Sequence, residues 1–183
     1  YEYIYKTKIE DFGCLPHPKY PYIGASPDGI NVDSTSGLYG RMLEIKNPTT
    51  REITGIPKEE YWVQMQLQME VCGLNHCDFL ETKFSVYETK AQFDEDGNFY
   101  KSKEEQYKGI MLHFIVNDDN YYEYAPFQCS PEEYAIWEEE MMTKHENDTW
   151  LKHLYWRLDY VSCVLVTRNE KWFQHTRHHL ENI

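Results

Sequence analysis

The sequence has little positive charge for its length. Of 183 residues, 18 are Lys or Arg and 31 are Asp or Glu, so the formal net charge is −13 with neutral His. Non-specific affinity for nucleic acid comes mainly from cationic side chains that displace counterions from phosphates. The composition therefore excludes a generic basic nucleic-acid coat, and any contact with DNA must depend on a local basic surface.

Long apolar runs are also absent. A membrane-spanning helix needs about 20 consecutive apolar residues, and the apolar runs here are only a handful of residues long. The chain does not open with a charged-then-apolar segment of the signal-peptide type. These absences predict a soluble protein with no membrane partner.

Cysteine is scarce, and its pattern predicts no cross-links. The five Cys are an odd number without zinc-like spacing: Cys14, Cys72, Cys77, Cys129 and Cys163. Disulfide frameworks belong to oxidising compartments. We therefore expect an intracellular, reducing compartment.

The length and composition are typical of one globular domain. Apolar residues make up 41% of the chain and charged residues 27%, so residues 1–183 are predicted to form a single domain. The segment Tyr1 to Lys8 is typical of the end of an element already begun. We therefore expect this domain to lack its N-terminal helical part.

Two strand candidates flank a turn early in the chain. The aromatic stretch YPYIGASPD, residues 20–28, leads into Ser-Pro-Asp-Gly, in which Pro fixes φ and Gly permits positive φ. The segment RMLEIK, residues 41–46, follows as a second strand. Because side chains alternate along a strand, Glu44 and Lys46 are predicted to point to the same face.

The segment after Pro57 is typical of a helix. Acidic residues lie in its first turn, and apolar side chains recur at three- and four-residue steps from Trp62 to Cys72. Gly73 predicts the stop. Gln64 and Gln68, four residues apart, lie on the face beside the apolar stripe, and Gln66 lies on the other side of the helix.

The second half of the chain predicts further strands and helices. The strand candidates are Cys77–Val86, Gly109–Val116 and Tyr121–Phe127. The polar segment 90–108 between the first two is predicted to be a surface insertion. Ser130 and Glu133 form a capping box for a helix to about Lys144, and residues 128–183 are expected to form a C-terminal helical extension.

The residues with the clearest chemistry are Asp28, Glu44 and Lys46. Phosphodiester hydrolysis with a metal needs oxygen ligands for Mg²⁺ or Mn²⁺, which neutralises phosphate charge and lowers the pKa of a bound water. Asp28 and Glu44 supply two carboxylates, and the carbonyl of Ile45 can face the same metal. Lys46 can orient or deprotonate the attacking water and stabilise the developing charge.

Each of these motifs has an ordinary structural explanation when taken alone. Pro-Asp-Gly is a common turn, and Glu-x-Lys on a strand is a common solvated ion pair. Their order favours a metal-dependent nuclease, because a carboxylate at a strand end precedes Glu-x-Lys on the next strand and a helix with Gln64. The residue pattern leaves both interpretations open.

Three sequence blocks resemble a known family. GASPDGI, LEIKNP and YWVQMQLQMEVCG are similar to the signature blocks of YqaJ-type viral recombinases, the lambda exonuclease-like branch of the PD-(D/E)XK nucleases. The likeness covers about residues 1–87, and LDYVSCVLVTRNEKWF resembles the C-terminal block of members from large DNA viruses.

This resemblance implies a fold and an activity. The fold is α+β of the α/β/α type, a restriction-endonuclease-like PD-(D/E)XK core with a central mixed β-sheet flanked by helices. The activity is Mg²⁺- or Mn²⁺-dependent, processive 5′→3′ exonuclease digestion of double-stranded DNA ends in viral recombination or replication. A viral member would work in the host cytoplasm, the nucleus or a virus factory.

The resemblance also assigns roles to individual residues. Asp28 and Glu44 match the metal-binding carboxylates, Lys46 matches the catalytic lysine, and Gln64 matches the helix glutamine that lines the active site. Ser26 is expected to shape the turn and to join the DNA-binding residues.

The other two glutamines of the helix, Gln66 and Gln68, are interpreted as solvated. The sequence departs from the family where a further metal-binding acid and a basic residue for a 5′ phosphate usually precede the strands. Glu2 is a weak substitute for that acid.

A local basic channel is the expected route for DNA. Arg41, Lys46, Arg51 and Lys58 bracket the predicted site, although Arg51 and Lys58 are also explained as solvated charges. A homo-oligomeric ring around DNA and a single-strand annealing protein are candidate partners. The alternative function is a catalytically inactive DNA-end-binding or scaffold module. The intact triad favours the enzyme, and the missing upstream acid favours the alternative.

Overall fold

The computed structural model describes residues 1–180. The helices in this part of the chain are α1 (Glu2–Tyr5), α2 (Glu59–Cys72), α3 (Lys90–Glu95), α4 (Pro131–Lys144) and α5 (Glu170–Leu180). The strands are β1 (Ile9–Glu10), β2 (Leu15–Pro16), β3 (Gly24–Ala25), β4 (Gly29–Asn31), β5 (Met42–Lys46), β6 (His76–Tyr87), β7 (Lys108–Val116), β8 (Asp119–Tyr124) and β9 (Thr149–Thr167). None of the described helices combines the length and apolar character needed to cross a membrane.

The chain divides into two compact units. The first contains residues 1–82 and the segment that begins at Val161, and the second is Lys83–Tyr160. The long strands β6 and β9 contribute residues to both. The extent of a single domain over residues 1–183 stays a prediction. The description of residues 128–183 as helical is wrong for Thr149–Thr167, which form β9 between α4 and α5.

The sheet of the first unit is mixed. Its strand order is β1-β4-β5-β6-β9, with antiparallel β1–β4 and β4–β5 pairs and a parallel β5–β6 pair. The strands β2 and β3 form a separate antiparallel pair. Together with the helices that pack on the sheet, this confirms the predicted α+β architecture with a mixed sheet.

The core of the first unit lies between α2 and the parallel strand pair. Met65 and Met69 of α2 pack against Met42 of β5 and Phe79 of β6, and all four are 0% exposed. The predicted stop is confirmed, because Gly73 takes the left-handed conformation with φ 66° and its N–H caps the last turn. The helix is the connection that parallel pairing of β5 with β6 requires.

The second unit contains the remaining part of the sheet. Its strand order is β6-β9-β7-β8, with antiparallel β7–β8 and β7–β9 pairs. The capping box predicted at Ser130 and Glu133 is confirmed at the start of α4. The segment predicted to be a surface insertion contains the short helix α3, whose Phe93 is buried.

Candidate active site

The carboxylate of Glu44 is the most deeply buried charged group of β5. Its side chain is 0% exposed, whereas that of Lys46 keeps 25% exposure. Both side chains leave the same face of the strand, as predicted, and Lys46 Nζ donates a hydrogen bond to Glu44 Oε1. The buried anion is therefore paired with a cation that remains open to solvent.

Asp28 lies beside the next residue of β5. It occupies the turn between β3 and β4, and its Oδ2 accepts a 2.6 Å hydrogen bond from the Ile45 N–H. Gly29 lets β1 pass close to this turn, because a Cβ at that position would lie 2.2 Å from Ile9 Cγ2. The turn sequence thus places Asp28 next to the strand that carries Glu44.

Two glutamines of α2 complete the environment of Glu44. Gln64 Nε2 donates to Glu44 Oε1 at 2.8 Å, and Gln68 Nε2 donates to Glu44 Oε2 at 2.9 Å. Gln68 Nε2 also lies 3.2 Å from the Ser26 carbonyl oxygen. The prediction that Gln68 is solvated is wrong. Its four-residue spacing from Gln64 was the available signal, since such residues share one helix face.

Gln66 is also buried rather than solvated. Only 1% of the residue is exposed. Its Nε2 donates to the Thr167 carbonyl at 3.0 Å, and its side-chain oxygen accepts from the Asn169 N–H at 2.6 Å. Gln66 therefore anchors the segment before α5 and is not part of the Glu44 environment.

A second ion pair lies at the Lys46 end of β5. Arg51 pairs with Glu81, which is 1% exposed, and Glu81 lies opposite Lys46 in the parallel register. The Tyr61 ring is approached by both cations, with its centroid 5.2 Å from Lys46 Nζ and 5.5 Å from Arg51 Cζ. The hydrogen bond to Glu81 raises the pKa of Arg51, which keeps the guanidinium charged.

Glu81 was missed in the sequence, where it looks like an ordinary strand residue. The signal was its place on the strand that follows α2, where parallel pairing with β5 puts it opposite Lys46. Among the described residues, its Oε2 has no hydrogen-bond partner.

Two of the predicted DNA-binding residues lie away from the Glu44 cluster. This name denotes the group Asp28, Glu44, Lys46, Gln64 and Gln68. Arg41 precedes β5 and pairs with Asp78 at 3.2 Å, about 16 Å along the strand from Lys46 at the usual rise per residue. Lys58 is exposed and lies 3.8 Å from Glu60. Glu2, the weak substitute for an upstream metal-binding acid, accepts a 2.7 Å hydrogen bond from the Ile9 N–H. The structure therefore brings Ser26 and Arg51 to the Glu44 cluster, but not Arg41.

The oxygen donors around Glu44 suit a hard divalent cation. Mg²⁺ binds through one or two carboxylates and keeps several waters, which Asp28, Glu44 and the Ile45 carbonyl can satisfy. Within residues 1–180 no group of three His, Cys, Asp or Glu side chains is arranged to hold a metal. The residues thus fit a cation that relies on two carboxylates and water.

The chain is similar in sequence to a known protein family and to a viral protein. Residues 1–75 match the family model described as the YqaJ-like viral recombinase domain, which confirms the resemblance predicted from the sequence. An uncharacterized protein of Acanthamoeba polyphaga mimivirus is 31% identical over an alignment of 210 positions. The alignment includes 95% of this chain and 38% of that protein. The chain therefore spans well under half the length of this viral relative.

Solved structures of one exonuclease also match this chain, at 18% sequence identity. The crystal structure of an alkaline exonuclease, LHK-Exo, from Laribacter hongkongensis matches with a TM-score of 0.49 and 18% identity, covering 100% of this chain and 58% of that one. The LHK-Exo complex with dAMP matches with the same TM-score and covers 57% of that chain.

Proposed function

We propose that this chain, whose residues 1–75 match the family model of the YqaJ-like viral recombinase domain, is a metal-dependent exonuclease acting on the ends of double-stranded DNA. One observation carries the proposal: the carboxylate of Glu44 is buried, and Lys46, Gln64 and Gln68 all donate hydrogen bonds to it. Asp28 is held beside the same strand. A solvated Glu-x-Lys ion pair on a sheet surface would need neither glutamine donor.

The metal ligands in this proposal are Asp28, Glu44 and the carbonyl of Ile45. A Mg²⁺ or Mn²⁺ ion bound there would neutralise charge on the scissile phosphate and lower the pKa of a bound water. Gln68 fixes Glu44 through Oε2, so the carboxylate is held in one orientation before any ligand arrives.

Lys46 is the residue of this cluster that can meet the substrate. Its ammonium group is partly exposed while Glu44 is covered. A phosphate oxygen that approaches the cluster from solvent therefore reaches Lys46 first. The ammonium then stabilises the negative charge that develops at phosphorus, or positions the attacking water. Gln64 donates to the same Glu44 oxygen as Lys46 and so helps to keep the pair aligned.

Arg51 and Ser26 are the DNA contacts that the geometry supports best. Arg51 shares the Tyr61 ring with Lys46, so two cations lie along one side of the cluster. Arginine suits phosphate recognition because its planar guanidinium can donate two hydrogen bonds at once. Arg41 and Lys58 would contact DNA only further along its backbone.

The alternative function is an inactive DNA-end-binding or scaffold module. It is favoured by one observation, the lack of a third acidic side chain arranged for a metal among residues 1–180. Both functions predict binding to DNA ends, and only the first predicts hydrolysis. Strand polarity, a ring of subunits and an annealing partner remain parts of the proposal, and the assay below tests the polarity.

The test is digestion of a blunt linear duplex labelled at either the 5′ or the 3′ end, with Mg²⁺ or with EDTA. We expect the unaltered chain to digest the duplex only with Mg²⁺, and to release the 5′ label first. Glu44→Gln and Lys46→Ala should each lower the rate by about 100-fold or more. Lys8→Ala is the matched control, since Lys8 is an exposed lysine that pairs with Glu10.

Three outcomes would redirect the proposal. If Glu44→Gln and Lys46→Ala digest DNA as fast as the control, the site assignment is wrong. If every protein binds the duplex in a gel-shift assay and none digests it, the binding module is the better description. Early release of the 3′ label would reverse the proposed polarity while leaving the site assignment intact.

A further inference from the structure

We infer that a second pocket in the first unit, distinct from the Glu44 cluster, binds a phosphate group of a nucleotide or nucleic acid. The pocket has a volume of about 490 Å³ and lies between the segment after β2, the C-terminal end of α2 and α5. Its polar lining includes His17, Lys19, Tyr20, Glu70, Arg168 and Arg177. We call it the His17 pocket.

This pocket lies on another face of α2 from the candidate active site. Gln64 and Gln68 turn toward Glu44, whereas Gln66 turns toward the segment before α5. Glu70 follows Gln66 by four residues and therefore shares its face of the helix. The His17 pocket is thus a separate surface that the chemistry proposed above does not use.

The first argument is a buried donor without an acceptor. The Lys19 N–H donates a 3.0 Å hydrogen bond to His17 Nδ1, so a neutral ring must carry its proton on Nε2. The His17 side chain is 4% exposed, and among the described residues Nε2 has no hydrogen-bond partner. The nearest carboxylate oxygen, Glu70 Oε1, is 3.7 Å away. A buried donor without an acceptor is destabilising, and an oxyanion that enters the pocket beside His17 would satisfy it.

The second argument is the local charge. Arg168 donates to Glu70 Oε2 from Nε at 3.0 Å and from Nη2 at 2.6 Å, so the acid of the pocket is already neutralised. Lys19 and Arg177 then remain as uncompensated cations, and Lys19 forms no ion pair within residues 1–180. On a chain with a net charge of −13, this excess of positive charge around one pocket favours an anionic ligand.

The third argument is that the pocket is organised before a ligand binds. Arg177 donates to the Tyr20 hydroxyl at 2.5 Å, and its Cζ lies 5.7 Å from the centre of that ring. The Tyr20 ring is partly exposed and packs 6.0 Å from the buried Phe173 ring at 50°, so it offers apolar surface on which a base can stack. A guanidinium, an ammonium and an imidazole N–H beside aromatic rings suit a phosphate attached to a nucleoside better than a carboxylate.

The experiment is a calorimetric titration in EDTA, which separates this binding from any metal at Glu44. The probes are inorganic phosphate, dAMP and a short blunt duplex. We expect dAMP or the duplex to bind at one site, with at least a tenfold loss of affinity in the Lys19→Gln, Arg177→Gln double variant. Lys171→Gln is the matched control, since this exposed lysine lies on α5 but does not line the pocket.

A spectroscopic measurement keeps the test informative if the calorimetric signal is small. The Nε2 resonance of His17 should move on addition of the bound probe, and His17→Phe should weaken binding while keeping a ring beside Phe173. Saturable binding of dAMP without duplex competition would identify a free nucleotide as the ligand. Binding of the duplex alone would identify a backbone phosphate.

Two results would overturn this inference. One is equal affinity of the unaltered chain and the double variant for every probe, and the other is no binding of any probe by the unaltered chain. All proteins are compared in EDTA, so the binding readout does not depend on metal-supported hydrolysis at Glu44. The inference is therefore tested independently of the nuclease activity, and either proposal can fail without the other.

Discussion

The side-chain amide of Gln68 donates a 2.9 Å hydrogen bond to Glu44 Oε2, so a residue of α2 holds the buried carboxylate of β5. Gln68 itself is 3% exposed. Because a buried carboxylate without donors would be strongly destabilised, the Gln68 amide stabilises the fold by hydrogen-bonding Glu44. Stability and function of this cluster therefore depend on the same hydrogen bond.

A Gln68→Leu substitution should lower both stability and activity. It leaves Glu44 Oε2 and the Ser26 carbonyl without their donor, which should cost roughly 1–3 kcal/mol of unfolding free energy. The digestion rate of the folded protein should fall about tenfold or more, since Glu44 is no longer fixed. Urea unfolding and the duplex digestion assay measure the two effects.

Gln66→Leu is the matched control for that substitution. It removes a buried amide from the same helix, with a similar expected loss of stability, but its partners are Thr167 and Asn169. Its digestion rate should stay within about twofold of the unaltered chain. A comparable loss of activity in both variants would show that Gln68 acts only through stability.

The Arg51–Glu81 pair should show strong energetic coupling. Arg51→Ala leaves Glu81 as a buried charge without its partner. We expect a loss of about 2–3 kcal/mol, below the value for fully buried pairs because Arg51 keeps some solvent contact. The double variant Arg51→Met, Glu81→Leu should recover most of this loss. Urea unfolding of Arg51→Met, of Glu81→Leu and of their double variant gives the coupling energy, and additive effects would show that the pair is not coupled.

The stability of the second unit should depend on the protonation of His145. Burial lowers the pKa of His145, but hydrogen bonds to Glu123 and Asp148 outweigh it and raise the pKa above its ordinary value. The raised pKa means that the folded state holds the proton more tightly than the unfolded state. This contribution is fully present below about pH 6.5, the unfolded value, and is lost as the pH rises through the folded pKa.

A His145→Gln variant tests this pH dependence. The variant should lose roughly 1–2 kcal/mol at pH 6 and less at pH 9, so the stability difference from the unaltered chain should narrow as pH rises. Denaturant unfolding at both pH values measures it. His76→Gln, at an exposed position, is the control and should show no such narrowing. A constant difference across the range would contradict the assignment.

Gly109→Ala should destabilise the β7–β9 pair. A Cβ at Gly109 would lie 2.6 Å from Trp156 Cζ2 and 2.9 Å from Cε2, so the indole must move. We expect a loss of about 1–3 kcal/mol and a shift in tryptophan fluorescence. Gly37→Ala is the control, because a Cβ there meets no atom within 4 Å. Unchanged stability in Gly109→Ala would show that the indole can move without cost.

Local signals predicted much of the secondary structure. Gly73 marked the end of α2, the Ser130 capping box marked the start of α4, and strict alternation placed Glu44 and Lys46 on one face. These features depend on neighbours within a few residues in the chain. They were therefore visible in the sequence without knowledge of the fold.

The errors concern polar residues whose surroundings come from distant segments. Gln66 and Gln68 look like solvated helix residues, but strands and loops from elsewhere in the chain cover them. Glu81 gained its importance only from parallel pairing with Lys46. The strand β9 was missed over much of its length because many polar and exposed residues interrupt its apolar pattern. Tertiary contacts decide each of these cases.

The parallel pairing of β5 with β6 has a kinetic consequence for the cluster around Glu44. The helix α2 is the crossover between these strands, and it also carries Gln64 and Gln68. A crossover helix docks as its two strands meet, after the chain has closed the intervening loop. Until these two strands pair, Gln64 and Gln68 are not held beside Glu44. Recovery of activity during refolding should therefore coincide with formation of the sheet.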